Sequence, residues 1–189
     1  MVRWRLMPIA PPSKYARWEI ERRFLLRDGL PDGIDARTPS DIADRYIIGG
    51  RLRLRRMQTG GEIEYKFCKK YPTDRTSAGL ITNVYLTRDE YAVLAALPGH
   101  DLLKRRYRID VDGQTFAIDV FGGALEGVVL IEVETTTPEA SAAIAPPHWA
   151  GCEVTDDVTF TGGHLAVADP TSVRDRLSAL ARGAPSAHS

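Results

Sequence analysis

Residues 51–68, RLRLRRMQTGGEIEYKFC, alternate charged or polar with apolar side chains on either side of Gly60-Gly61, and the reading of this stretch decides the fold. On a β-strand residues i and i+2 share a face, so Arg51, Arg53 and Arg55 form one row opposite Leu52 and Leu54. After the glycines, Glu62, Glu64 and Lys66 share a face opposite Ile63, Tyr65 and Phe67. A Gly-Gly pair between two such runs predicts a β-hairpin. Three guanidinium groups in one row call for an anionic counterpart, and the planar fork of arginine suits phosphate. A solvated basic strand face is the alternative.

The same period of two recurs along the chain. It predicts strands over 18–25, 51–57, 62–68, 80–86, 103–110, 115–121, 128–135 and 153–160, with a second hairpin turn at Asp112-Gly113. In KRRYRID, Lys104, Arg106 and Arg108 share a face opposite Arg105, Tyr107 and Ile109. Thr87-Arg-Asp-Glu90 is a capping-box sequence, followed by Tyr91, Leu94 and Leu97 at helical spacing and stopped by Pro98-Gly99. Ser172-Val-Arg-Asp175 opens a C-terminal amphipathic helix through about Leu180, and a shorter helix is expected from Pro39-Ser40 towards Asp44. The fold class is therefore mainly β (α+β). Eight antiparallel strands suggest a closed barrel with a few peripheral helices, since closure removes exposed edges. Periodicity alone leaves open whether the apolar rows fill the barrel or the charged rows line it.

Two acidic pairs stand far apart in the chain, Glu19-Ile-Glu21 and Glu132-Val-Glu134. Each sets two carboxylates on one strand face, with Ile20 and Val133 opposite, and like charges so placed repel. Paired carboxylates suit a hard cation such as Mg²⁺ or Mn²⁺, which takes oxygen ligands from a few carboxylates and from substrate phosphates. The basic rows suit the remaining phosphate oxygens. Together the two patterns describe a site for a compact polyphosphate with divalent metal.

Composition bounds the partners. The 189 residues are 43% hydrophobic, enough for one domain with a full core, and 25 basic residues balance 25 acidic ones. A net charge of zero argues against duplex DNA or an anionic membrane as partner. Cys68 and Cys152 lack the spacing of a zinc site and read as reduced thiols. No pair among His100, His148 and His164 has metal-ligand spacing, so each reads as a surface or packing residue, and Trp149 reads as a packing anchor. The opening MVRWRLMPIAPPSKYARW is broken by Pro8, Pro11 and Pro12 before a signal-peptide core forms, and no later run reaches the roughly 20 apolar residues of a membrane span. A soluble, cytoplasmic protein is expected. Residues 1–16 read as a mobile extension, 17–181 as one barrel domain and 182–189 as a disordered tail.

These elements, taken in order, resemble the CYTH domain of the triphosphate tunnel metalloenzymes over about residues 18–168. EIERRFL stands where that family has Glu-x-Glu-x-Lys, keeping Glu19 and Glu21 but placing Arg23 where lysine is expected. DRYI and RLRLR resemble the aromatic segment and the Arg-x-Arg strand, at Arg53 and Arg55, and Lys66 follows at the family's spacing. KRRY supplies Lys104 and Arg106, FAIDVFGGALEGVVLIEVE carries Asp119, Glu132 and Glu134, and HWAGCEVTDD resembles the closing Trp-x-Gly-x-Glu-Val-Thr element. The resemblance implies an eight-stranded antiparallel tunnel barrel with inward charged rows. It implies that Glu19, Glu21, Glu132 and Glu134 hold metal and serve catalysis, and that Arg23, Arg53, Arg55, Lys66, Lys104, Arg106 and Asp119 bind substrate. The implied reaction is attack of a metal-positioned water on the terminal phosphorus of inorganic tripolyphosphate or an organic triphosphate.

The chain also departs from the family pattern. Gly79, Ile81 and Asn83 in GLITNVYL stand where an Arg-x-Glu-x-Glu strand is expected, with Glu64 as a candidate replacement for the lost charge. Arg23 can bind phosphate but cannot serve as a base. VTFTGGHLA lacks the expected Tyr-x-Asn-type residues. These departures keep open a non-catalytic polyphosphate or nucleotide sensor and, further back, an adenylate cyclase of the same superfamily.

Overall fold

The computed structural model describes residues 14–73 and 76–183. The expected extension therefore falls mostly outside the described residues, as does the expected tail beyond Gly183. Nine strands are present among the described residues: β1 (Arg17–Leu26), β2 (Ser40–Ile47), β3 (Leu52–Thr59), β4 (Glu62–Lys70), β5 (Ala78–Leu86), β6 (Gly99–Val111), β7 (Gln114–Phe121), β8 (Val129–Thr135) and β9 (Ala150–Glu153). They follow the order β5-β4-β3-β2-β6-β7-β8-β1-β9, and β5 also pairs with β1. That pairing closes the first eight into an antiparallel barrel and leaves β9 as an addition to β1. Residues 17–20 of β1 face β5, Phe24 and Leu26 face β9, and β8 takes the other edge from Ile20 to Leu25.

Local chemistry explains the tight connections. Thr59 pairs with Glu62, leaving Gly60 and Gly61 as a two-residue loop, and both have positive φ (56° and 102°) as a primed hairpin turn demands. Asp112 (φ 49°) and Gly113 (φ 79°) do the same between β6 and β7. Helix α1 (Arg88–Ala95) carries the expected capping box: Thr87 Oγ1 accepts from the Glu90 amide and Glu90 Oε2 accepts from the Thr87 amide at 2.7 Å. Its Tyr91 ring lies 4.6 Å from Tyr65 on β4.

The structure corrects three expectations. Residues 39–44 are not a helix: Ser40–Ile47 is a barrel strand paired on both edges, with β3 and with β6, and this pairing overrides the local helical cue. The strand expected over 153–160 ends at Glu153, because β1 offers it only the last few residues of an edge already taken by β5; residues Val158–Phe160 form a 3₁₀ turn. The C-terminal helix does not start at Ser172. As α4 (Pro170–Gly183) it follows α2 (Pro138–Ala143) and α3 (Gly162–Leu165), with Pro170 in its first turn and Asp169 Oδ2 accepting from the Ser172 amide.

Alternation then sorts the side chains. Ile109 and Tyr107 of β6, Phe116 and Ile118 of β7, Ile131 and Val133 of β8 and Phe24 of β1 point outward. They pack with Ile34, Ile144, Ala150 and Trp149, whose ring meets Phe116 edge-on at 5.7 Å. The opposite faces of the same strands carry the charged rows, so those rows line the barrel. At one end the inward rows turn apolar, where Leu25, Leu102, Phe121 and Leu130 pack with Phe160, Leu165 and Val173 and plug the interior. Among the described residues no helix is long and apolar enough to cross a membrane.

Ile131 is fully buried in the outer core, whereas Val93 on α1 is 73% exposed. Ile131→Ala is expected to cost about 2–5 kcal/mol through lost contacts and the cavity left behind, and Val93→Ala no more than about 0.5 kcal/mol. Urea unfolding midpoints of the two variants check this.

Candidate functional site

Inside the barrel, acidic side chains gather the basic ones. On β7, Asp119 is completely buried and accepts from Lys104 Nζ, from Arg106 Nε (2.6 Å) and from Arg106 Nη2 (2.6 Å). Arg106 Nη2 also donates to Glu132, which sits on β8 beyond β7 and is reached through the barrel interior. Burial would push the Asp119 carboxyl up, but Lys104 and Arg106 hold it well below the usual carboxylate range. Burial would equally depress Arg106, yet Asp119 and Glu132 raise it well above the ordinary arginine value. Glu132 also ends lowered: Lys104 and Arg106 outweigh burial and the repulsion from Asp119. Asp119 thus acts on Lys104 and Arg106, with no surface left for a ligand.

A second cluster joins β2 to β3. Asp44 accepts from Arg55 Nε at 2.6 Å and Nη2 at 2.7 Å, and Arg53 Nε stands 3.7 Å away. Burial raises the Asp44 carboxyl, but Arg55 and Arg53, with help from Lys104, bring it down to about 2. Tyr46, two residues along the same inward row, is pushed up to about 12, mainly by burial, with the charge of Arg53 opposing the rise. Arg53 itself is raised above its ordinary value, because Asp44 and Tyr46 outweigh its burial.

The remaining expected residues are more loosely held. Arg23 on β1 is 2% exposed; its Nε donates to Glu21 at 3.2 Å, its Nη2 to the Thr76 carbonyl, and its amide to Thr155 Oγ1 at 3.0 Å. Lys66 pairs with Glu64 at 2.7 Å and lies 4.9 Å over the Tyr85 ring. Glu19 stands 4.0 Å from Lys70, and Glu134 stands 3.7 Å from Arg17 at the barrel mouth. Among the described residues, two buried guanidinium atoms have no hydrogen-bond partner, Arg23 Nη1 and Arg53 Nε.

A cavity of about 560 Å³ opens beside the apolar plug, and it includes Glu19, Glu21, Arg23 and Arg53 in its lining. Both orphaned guanidinium atoms therefore belong to side chains on this cavity, as an anion site requires. Arg55, Lys66, Lys104, Arg106, Asp119, Glu132 and Glu134 are outside its lining. Three further lining residues escaped the sequence reading: Tyr46, Lys70 and His100. Lys70 continues the inward row of Lys66 and Cys68, a signal available from alternation. His100 faces the cavity from β6, where a surface or packing role was expected.

Among the described residues no three His, Cys, Asp or Glu side chains stand together closely enough to hold a metal ion. The donor chemistry still fits a hard divalent cation. Glu19 and Glu21 on β1 and Glu132 and Glu134 on β8 are all oxygen donors on inward rows of neighbouring strands, with Glu21 paired to Glu134. Burial and the charges of Glu132 and Glu19 raise Glu21, and burial with Glu19 raises Glu134. Such mutual repulsion is what a divalent cation relieves.

Asp44 supports a prediction with a defined pH window. Its folded value lies below the unfolded value of 3.8, so its stabilisation is complete above about pH 4 and is lost as pH falls towards 2. Asp44→Asn, which leaves Arg53 and Arg55 without their counter-charge, is expected to cost about 3–5 kcal/mol at pH 7. That gap should narrow between about pH 4 and pH 2, and chemical unfolding of both proteins across this range measures it.

Comparison with models of protein families gives no match. An inorganic triphosphatase of Nitrosomonas europaea is 34% identical over 157 residues, covering 80% of this chain and 99% of that protein. An inorganic triphosphatase of Acetivibrio thermocellus is 37% identical over 62 residues, covering 33% of this chain and 38% of that protein. A crystal structure of an inorganic triphosphatase superposes with a TM-score of 0.54 at 30% identity, covering 79% of this chain and 95% of that one. A Pyrococcus horikoshii protein shares the fold, with a TM-score of 0.50 at 19% identity over 88% of this chain and 90% of that one. The match, over 80% of this chain and 99% of that protein, places the chain: it belongs to the family of the Nitrosomonas europaea inorganic triphosphatase.

Proposed function

We propose that this chain is a divalent-metal-dependent triphosphate hydrolase, a divergent CYTH-domain member of the triphosphate tunnel metalloenzymes, acting in the cytoplasm on inorganic tripolyphosphate or an organic triphosphate. The observation that carries the reading is a pair of buried guanidinium atoms without hydrogen-bond acceptors, Arg23 Nη1 and Arg53 Nε, whose side chains line a cavity that Glu19 and Glu21 also line. Buried donors without acceptors are costly unless a ligand completes them, and phosphate oxygens match a guanidinium. The 34% identity to an inorganic triphosphatase supports the same conclusion.

Residues 17–181 would act as one domain in this reading. Arg23, Arg53, Arg55, Lys66, Lys104 and Arg106 would take phosphate oxygens, with Asp44 and Asp119 fixing four of those cations in place. Glu19, Glu21, Glu132 and Glu134 would hold Mg²⁺ or Mn²⁺, which when bound supplies charge neutralisation and a more acidic water. Hydrolysis forms one bond from the water oxygen to the terminal phosphorus as the bridging P–O bond breaks. The transition state is largely dissociative, so the contribution of the basic residues is to hold the chain in line and spread its charge. An arginine does not serve as a base, and Arg23 donates its Nε to Glu21, so its part is to position.

Wild-type protein is expected to release phosphate from tripolyphosphate with Mg²⁺ or Mn²⁺ and to stop when the metal is chelated. Glu132→Gln combined with Glu134→Gln should lower kcat/KM roughly 100-fold or more. Calorimetry showing tripolyphosphate binding with no phosphate release would replace the hydrolase by a sensor, the reading favoured by an arginine at position 23.

A further inference from the structure

Strand β6 brings His100 to the cavity on the face that carries Leu102, Lys104 and Arg106 further along. In the sheet His100 stands opposite Tyr46 of β2, and Tyr46 stands opposite Arg53 of β3, so the three form one row across three strands. All three line the cavity. Two strand spacings separate the backbones of His100 and Arg53 by roughly 10 Å. A Cβ at Gly162 would fall 2.3 Å from the Tyr46 hydroxyl, so the bare backbone of α3 there leaves Tyr46 its place between the two.

The groups around His100 leave an imidazolium without a counter-charge. Its chain neighbour Asp101 is on the outer face and accepts from Arg45 Nη1 at 2.8 and 2.9 Å. From β2, Tyr46 keeps its proton, since burial pushes its hydroxyl up to about 12. Strand β1 contributes Glu19, Glu21 and Arg23, but Glu21 accepts from Arg23 Nε at 3.2 Å and Glu19 stands 4.0 Å from Lys70 of β4, so each carboxylate has a cation of its own. Arg51 and Arg53 add positive charge, Tyr71 follows Lys70, and β5 and α3 add no charge to the lining. Among the described residues no hydrogen bond or ion pair holds the imidazole.

We propose that His100 is a phosphate-binding residue of the cavity, donating as imidazolium to an oxygen at one end of the triphosphate while Arg53 holds another, so that affinity for the substrate rises as pH falls. This rests on the triphosphate reading above and adds to it a binding residue and a pH dependence. The free Nε of Arg53 is the second donor in the row, and an anion that touches both completes it. Histidine side chains ordinarily change charge between about pH 5 and 8. Neutral imidazole still offers one N–H, but the stronger charge-assisted bond to phosphate exists only on the acid side of that range. His100 is exposed at the cavity edge, so it exchanges protons with solvent and its replacement does not disturb the core.

The test follows tripolyphosphate affinity between about pH 5.5 and about pH 8.5 in wild type, His100→Gln and His100→Arg, as Kd by calorimetry with metal chelated and as KM with Mg²⁺. Comparing proteins at each pH cancels the protonation of tripolyphosphate itself. His100→Gln should bind nearly as well as wild type at the alkaline end and roughly tenfold more weakly at the acid end. His100→Arg should match wild type at the acid end and bind roughly tenfold more tightly at the alkaline end. A ratio of His100→Gln to wild type that stays constant with pH reduces His100 to a packing residue and overturns the proposal. So does a defect of His100→Gln that grows towards alkaline pH, the mark of an imidazole acting as a base. If wild type neither binds nor hydrolyses tripolyphosphate at any pH, the triphosphate reading falls first and this proposal falls with it.

Discussion

Asp119 and Asp44 allow a closed β-barrel to be filled with arginine and lysine. Desolvating a charge costs several kcal/mol unless a partner and further hydrogen bonds compensate, and here each buried carboxylate serves two cations: Asp119 holds Lys104 and Arg106, and Asp44 holds Arg55 and Arg53. A hydrophobic interior of the same volume would be at least as stable. The arrangement is therefore better explained by what it presents than by what it stabilises. It fixes guanidinium and ammonium groups along the barrel interior and leaves Arg23 Nη1 and Arg53 Nε without a hydrogen-bond acceptor.

A polar interior forces the apolar core to the outside of the barrel. The outward residues of β1, β6, β7 and β8 would be bare hydrocarbon without a cover, and the cover comes from segments with little regular structure of their own: Ile34, Ile144 and the Trp149 region leading into β9. Strand β1 is the junction. It meets β5, β8 and β9, sends Phe24 into this outer core, and carries Glu19, Glu21 and Arg23 on its inner face, ending in the plug residue Leu25. A change that loosens the outer core therefore acts on the spacing of the inner row through one strand.

Much of this was legible from alternation, because a charged row opposite an apolar row marks a strand whichever side faces in. Seven of the eight expected strands coincide with barrel strands, at 18–25 through 128–135. The eighth lies at Ser40–Ile47, where SDIADRYI puts Ser40, Ile42, Asp44 and Tyr46 on one face and Asp41, Ala43, Arg45 and Ile47 on the other. Neither face is consistently polar or apolar, so period two gives no signal there, and its partners β3 and β6 decide the outcome. Missing that strand also hid Asp44, the counter-charge of Arg53 and Arg55. The segment at 153–160 failed for the converse reason: its apolar residues look strand-like, but Phe160 turns into the plug and Val158 to the surface. The direction of the rows needed three-dimensional facts, such as Arg106 reaching Glu132 past β7.

The neutral strand β5 shows how charge is redistributed in such an interior. Gly79, Ile81 and Asn83 supply no carboxylate to the basic rows beside them, yet those rows are not left unbalanced. Glu64 on the neighbouring strand pairs with Lys66 at 2.7 Å, and Asp44 on β2 takes both Arg53 and Arg55. Compensation has moved to strands β4 and β2, and β5 is free to be apolar. Its Gly79 and Ile81 line the cavity, as do Gly162 and Gly163 of α3. GLITNVYL and VTFTGGHLA thus both contribute to the lining of the cavity, while the paired cations keep their places. That separation is the physical condition for changing the neutral part of the lining without dismantling the paired cations.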